Sequence, residues 1–304
     1  MNTGAEAVET GVKLARRWGY DVKGVADNEA HLLFASDNFH GRTLTAISAS
    51  NDPSSYDRFG PFLPGISRVE YNNIQDLKQA LESNSNIVGF VVEPVQGEAG
   101  VIVPSDTYLK EAYDLCKKHN VLFIADEIQC GLGRTGAMLC SDQFGVKPDM
   151  IFLGKALSGG VLPVSAVLCD DEIMLTIKPG EHGSTYGGNP LACKVGIEAL
   201  KVLQEEGMVE NAREMGDVLM DGLKGLESDR IKEVRGKGLF CAVEIEERDG
   251  EDETAFKMCH DLMERGMLCK PTHNTIIRLS PPLIINKPQI EECLEIFQRM
   301  LNEF

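Results

Sequence analysis

The sequence predicts an α/β protein on a mostly parallel sheet, joined to a smaller α+β C-terminal domain. Across residues 1–207, short apolar runs alternate with helical stretches, the pattern of strand, crossover helix and strand units. From about residue 208 the chain changes to amphipathic helices separated by isolated strands and a Gly-marked turn at Gly236 and Gly238. At 304 residues, the chain is long enough to bury a core in each of a 1–207 domain and a 208–304 domain.

The first element is a helix. Thr3 and Glu6 have the spacing of a capping box, Val12, Leu14, Ala15 and Trp18 continue the periodicity, and Gly19 closes it. A chain that opens at the first turn of a helix leads us to expect a further segment upstream. Apolar runs at 32–35, 87–92, 121–125, 150–153 and 164–168 read as strands. Between the second and third, Ser105 is placed to cap a helix whose Leu109, Ala112, Tyr113 and Cys116 share a face. Beyond these lie helices over 192–205 and 208–226, a strand over 239–245, a helix over 254–265, a strand through Ile276–Arg278 and a closing helix from Lys287. The acidic stretch 246–253 reads as a solvated turn.

Composition excludes several functions. A net charge of -17 argues against nucleic acid, whose binding requires a basic patch to displace counterions. No apolar run is long enough to cross a bilayer, so no membrane partner is expected. The nine cysteines are odd in number and lack CxxC spacing, which suits a reducing compartment rather than a disulfide or zinc framework. His31, His40, His119, His182, His260 and His273 show no metal spacing, and no metal is expected. The segment Gly131-Leu132-Gly133-Arg134-Thr135-Gly136 satisfies GxGxxG, which raises a nicotinamide-dependent enzyme as an alternative. It opens onto no convincing helix, however, so it lacks the phosphate-binding terminus.

In a parallel sheet, ligands sit beyond the carboxyl ends of the strands, so the first polar residue after each run matters. Glu93, Asp126 and Lys155 occupy those positions after three of the runs. Singly, each is an ordinary start to a surface loop. Together they meet the needs of pyridoxal-phosphate chemistry: a lysine to condense with the aldehyde and a carboxylate to keep the pyridine nitrogen protonated. The helix start at Thr3-Gly4-Ala5 adds N–H groups for the phosphate. The surroundings of Lys155, from Leu153 to Gly160, predict partial burial and with it a depressed amine pKa.

Five motifs resemble the class III, fold type I aminotransferases. They are Asn38-Phe39-His40-Gly41-Arg42-Thr43, the segment Glu93 to Gly100, Ala125-Asp126-Glu127-Ile128-Gln129, Leu153 to Gly160 and the stretch Lys178 to Pro190. The segment 180–190 is similar to the ornithine-specific branch, whereas Phe39-His40-Gly41-Arg42-Thr43 also occurs in acetylornithine-specific members. The resemblance implies pyridoxal 5′-phosphate as cofactor, with Lys155 its covalent holder and proton carrier. It further implies that Asp126 pairs with the pyridine nitrogen, Gln129 contacts the ring hydroxyl, Phe39 stacks on the ring and Gly4 and Ala5 bind the phosphate. Thr185 is implied to reach the partner subunit's phosphate, Arg42 and Arg278 to bind substrate carboxylates, and Glu98 to mask Arg278 when ornithine binds. His182 is expected to be structural.

The implied reaction moves the δ-amino group of L-ornithine to 2-oxoglutarate in two half-reactions, giving glutamate 5-semialdehyde and glutamate. The implied enzyme is a homodimer with interface active sites, mitochondrial in the matrix or alternatively cytoplasmic. The alternatives are another class III aminotransferase, such as one specific for acetylornithine, and a catalytically inactive truncated chain acting only through interactions.

Overall fold

The computed structural model describes residues 1–248 and 250–304, and its contacts divide the chain into two compact units. The first comprises Met1–Pro94, Pro104–Gln129 and Ser141–Val202; the second comprises Val95–Val103, Cys130–Cys140 and Leu203–Phe304. This grouping differs from a single cut at 207/208, because two segments from early in the chain are bonded into the second unit. Arg134 donates to the carbonyls of Leu239 and Pro281 at 3.0 and 2.6 Å, and Arg235 donates to that of Gly100 at 3.0 Å. Pairings between residues so far apart leave no trace in local composition.

The first unit holds a six-stranded sheet. Its strands are β1 (His31–Ala35), β2 (Ile66–Val69), β3 (Ile87–Val92), β4 (Leu122–Asp126), β5 (Met150–Leu153) and β6 (Ala166–Cys169), in spatial order β2-β1-β3-β4-β5-β6. All neighbours are parallel except the β5–β6 pair. The helices of this part of the chain are α1 (Gly4–Trp18), α2 (Leu44–Ser48), α3 (Pro53–Tyr56), α4 (Ile74–Ser83), α5 (Tyr108–Lys118), α6 (Asp171–Met174) and α7 (Pro190–Glu205). Every residue of β3 and β4 is buried, as expected of central parallel strands covered on both faces. The edge strand β2 was not apparent in the sequence, because Ile66-Ser67-Arg68-Val69 is too polar for an apolar run.

Helix α1 lies hard against the sheet. A Cβ added at Gly11 would sit 2.2 Å from Phe152 on β5, so only glycine permits the approach. Ala7, Val8, Val12, Leu14 and Trp18 pack there with Leu32, Val91, Ile124 and Phe152. The predicted capping box is present: Glu6 N–H donates to Thr3 Oγ1, and Glu6 Oε2 accepts from the Thr3 N–H. The cap expected at Ser105 is not. Residue Thr107 precedes α5 without a side-chain cap bond, and Ser105 spends its hydroxyl on Asn72 Oδ1 at 3.0 Å.

The second unit packs α8 (Met208–Lys224), α9 (Thr254–Glu264) and α10 (Lys287–Glu303) with an antiparallel sheet of β7 (Ile231–Lys237), β8 (Phe240–Ile245), β9 (Lys270–Thr272) and β10 (Ile276–Leu279), ordered β7-β8-β10-β9. Its core joins Leu219 and Leu223 to Val243, Met258, Leu262, Ile277 and Phe297. Strands β7 and β9 are the elements the sequence concealed, one charged and one very short.

The acidic stretch 246–253 is more than a solvated turn. Glu251 accepts from both terminal nitrogens of the buried Arg230 at 2.8 Å each. This fork holds the Glu251 carboxyl down at about 2, chiefly through its bonds to Arg230. Asp249, within that stretch, lies outside the described residues.

Candidate active site

Strands β3, β4 and β5 are neighbours and parallel, so their carboxyl ends share one edge of the sheet, where Glu93, Asp126 and Lys155 lie on or just after them. Glycine contacts show what else arrives there. A Cβ built on Gly154 would lie 3.5 Å from the Cα of Gly4, and one built on Gly4 would meet Ile128 at 2.9 Å. One on Gly41 would meet the Cβ of Ala5 at 2.7 Å. Four segments remote in sequence therefore converge: Gly4-Ala5, Phe39 to Arg42, Asp126 to Gln129 and Gly154-Lys155.

The polar groups of this cluster are specific. Asp126 and His40 are both buried, and His40 Nδ1–H donates to Asp126 Oδ2 at 2.7 Å. The Ile128 N–H donates to Asp126 Oδ1 at 3.0 Å. Burial pushes the His40 imidazole down, but the carboxylates of Asp126 and Glu93 outweigh it, and the net shift is upward. Glu93 anchors the loop that delivers His40, its Oε1 accepting the Phe39 N–H at 2.8 Å. Neither the His40–Asp126 pair nor this anchoring role was foreseen. The only signal was that Glu93 and Asp126 end neighbouring strands.

Gln129 Nε2 is buried without a hydrogen-bond partner among the described residues. At the start of α1, the cap satisfies the Glu6 N–H and the Ala7 N–H reaches the Thr3 carbonyl. That leaves the N–H groups of Gly4 and Ala5 at the positive end of the helix. The Arg42 guanidinium lies 5.3 Å from the Phe39 ring centroid and donates to Ser55 Oγ at 2.7 Å.

Lys155 departs from expectation. Residue Lys155 is exposed in this chain rather than partly buried, whereas Leu157 and Ser158 in the turn that follows β5 are buried. Its backbone adopts φ +41°, an uncommon left-handed conformation for a residue with a Cβ. Thr185 is likewise exposed. His182 is a tie to α1: Lys13 Nζ donates to Nδ1 at 3.1 Å, so Nε2–H faces Thr10 Oγ1 at 3.0 Å. Burial first, then the nearby Lys13, lowers its pKa, consistent with a neutral ring.

In the second unit, Arg278 on β10 is buried and donates to the Gly97 carbonyl at 2.6 Å and to Glu98 Oε1 at 3.1 Å. Glu98 is therefore already seated on Arg278. The glycine-rich segment at 131–136 is a series of turns in this same unit, with the Leu132 N–H on the Met138 carbonyl at 2.7 Å. No helix begins there, which removes the dinucleotide reading. Among the described residues no cluster could hold a metal ion, and no helix is long and apolar enough to cross a membrane.

The family model for "Aminotransferase class-III" matches residues 1–301. The chain belongs to the class-III aminotransferases.

Among its relatives, this class-III aminotransferase is 58% identical over 304 residues to a probable mitochondrial ornithine aminotransferase of Caenorhabditis elegans, covering 100% of this chain and 71% of that protein. It is 57% identical to the mitochondrial ornithine aminotransferase of Rattus norvegicus, covering 100% and 69%. Among solved structures, the ornithine aminotransferase of Toxoplasma gondii superposes with a TM-score of 0.96 at 43% identity, covering 100% of this chain and 72% of that one. The acetylornithine aminotransferase of Elizabethkingia anophelis gives 0.90 at 51%, covering 100% and 75%. The expected fold type I architecture is thus present. Class-III aminotransferases use pyridoxal phosphate, and the residues brought to this sheet edge fit it: a buried carboxylate at Asp126, an unpartnered buried amide at Gln129, the helix-terminal N–H groups of Gly4 and Ala5, and a lysine next to Gly154.

Proposed function

We propose that the chain is an ornithine δ-aminotransferase, passing the δ-amino group of L-ornithine to 2-oxoglutarate with release of glutamate 5-semialdehyde and glutamate. The observation that carries this reading is the meeting of Gly4, Ile128 and Gly154 at the edge where Asp126 and Lys155 emerge. Relatives named ornithine aminotransferase, with this chain aligned along its whole length, support the substrate.

When bound, pyridoxal phosphate supplies the electron sink of the reaction. The chain's own residues supply its setting. Asp126 would offer its carboxylate to the pyridine nitrogen, and His40, fully buried, holds that carboxylate in one orientation. Gln129 would contact the ring hydroxyl, Phe39 would stack on the ring, and Gly4 and Ala5 would bind the phosphate. Lys155 Nζ would hold the cofactor and would carry the proton at the amine-bearing carbon. Arg42, oriented by Ser55, and Arg278, masked by Glu98, are the carboxylate anchors. A masked Arg278 rejects ornithine's own carboxylate and, once uncovered, accepts that of glutamate.

We further propose a homodimer. Thr185 lies in the exposed segment 180–186, whose Tyr186 is 73% exposed, and is assigned to the partner subunit's phosphate. The mitochondrial names of relatives favour the matrix over the cytoplasm. The deciding assay supplies pyridoxal phosphate and 2-oxoglutarate with either L-ornithine or N-acetylornithine and measures glutamate formed. Ornithine should be strongly preferred; preference for the acetylated substrate would move the chain to the acetylornithine branch. No turnover of either, with Lys155→Ala indistinguishable from the parent, would leave an interaction-only role.

A further inference from the structure

Glu98 is held by two cations. Its Oε1 accepts from Arg278 at 3.1 Å, and its Oε2 accepts from Lys270 Nζ at 2.7 Å. The fold puts those cations together, since Lys270 on β9 and Arg278 on β10 are register partners in the antiparallel ladder. Like charges facing each other across a ladder repel, and the bridging carboxylate offsets that cost. The three side chains differ sharply in exposure. Arg278 is 7% exposed, Glu98 28% and Lys270 56%. Lys270 and Arg278 also line a cavity of about 290 Å³ with Leu268, Cys269 and Ser280. Arg278 Nε is buried without a partner among the described residues, so the guanidinium retains capacity for an incoming anion. Burial raises the Glu98 carboxyl, but its bond to Lys270 and the charge of Arg278 bring it below the ordinary range, so it stays ionised and must be paired wherever it moves.

We propose that Lys270 is a positioning residue for substrate choice: it is the post on which Glu98 stays anchored while Arg278 is released to a substrate carboxylate. The inference rests on the reading of Glu98 and Arg278 as a carboxylate gate. Its logic is a comparison of two states. With Arg278 covered, Glu98 has two partners, and loss of Lys270 leaves one. With Arg278 uncovered, Lys270 is the partner that remains, and its loss leaves the carboxylate uncompensated. Removing Lys270 therefore penalises opening more than closure. A flexible ammonium stem that is mostly in solvent can follow the carboxylate, which the buried guanidinium cannot do.

The test uses the holoenzyme and compares Lys270→Met, which keeps the apolar stem, with Lys270→Arg, Glu98→Ala and the Met/Ala double variant. Lys270→Met should raise KM for glutamate by roughly five- to tenfold, shifting the ratio of half-reaction specificities toward ornithine, and Lys270→Arg should restore it. Affinity for glutarate, a dicarboxylate that has no amine to react, should weaken by the same factor in a direct binding titration. Glu98→Ala should act with the opposite sign, favouring glutamate. The double variant should then match Glu98→Ala, since the post has nothing left to hold. If Glu98→Ala shifts the ratio while Lys270→Met leaves glutamate and glutarate binding as in the parent, the gate stands and Lys270 is not its post. If Glu98→Ala leaves the ratio in place, the gate reading fails and this inference with it.

Discussion

Replacing His40 by phenylalanine removes the buried N–H that Asp126 accepts at 2.7 Å while keeping most of the ring's volume, so little cavity is created. Removing one partner of a buried charged pair costs about 3–5 kcal/mol, and both side chains here are almost wholly out of solvent. His40 Nε2 has no hydrogen-bond partner among the described residues, so the ring's polar compensation is the Asp126 bond and charge together with the charge of Glu93. The pair also sets a pH dependence. The folded His40 pKa lies above its ordinary 6.5, so its contribution is fully present below 6.5 and is lost as pH rises through the folded value. Urea unfolding of the parent and of His40→Phe, followed by the fluorescence of Trp18, the chain's single tryptophan, reads this directly. The gap between the two proteins should be widest below pH 6.5 and narrow toward alkaline pH. A gap within about 0.5 kcal/mol, the scatter of surface substitutions, with parallel pH profiles, would refute the reasoning.

Lys155→Ala should abolish transamination of ornithine, and turnover comparable with the parent would remove Lys155 from the mechanism. Gly216→Ala on α8 should destabilise the protein although alanine is the better helix former by ~1 kcal/mol, because its Cβ would lie 2.4 to 2.6 Å from backbone atoms of Gly238. Thermal unfolding checks the sign. Glu251→Gln should flatten the acid limb of stability: a carboxyl lowered from 4.5 to about 2 stabilises above 4.5, and that contribution is lost as pH falls through 2. Urea melts between pH 5 and pH 3 compare the slopes. The sulfurs of Cys259 and Cys269 lie 3.4 Å apart, so mild oxidation should join them in preference to the other thiols, as peptide mapping would show.

Much of the first unit was legible because its signals are local. The run 87–92 is β3 residue for residue, since a strand buried on both faces must be continuously apolar. The Thr3 and Glu6 spacing fixed the start of α1, because a capping box closes within four residues. Glu93, Asp126 and Lys155 were visible as the polar groups that end strands. Strands β2, β7 and β9 were not, because edge strands can be polar or short without loss of core.

Sequence alone determined the inventory: the α/β class, the lysine and carboxylate at strand ends, the helix start with its two spare N–H groups, and the family those motifs resemble. Tertiary structure alone decided the pairings. It set His40 against Asp126 across 86 positions, Gly4 beside Gly154, and Glu98 between Lys270 and Arg278, and it left Lys155 exposed where its apolar neighbours had suggested burial. The physical reason is range. Capping, periodicity and turn chemistry act over a few residues, whereas the partner of a buried charge is chosen by which strand and loop the whole sheet brings alongside it.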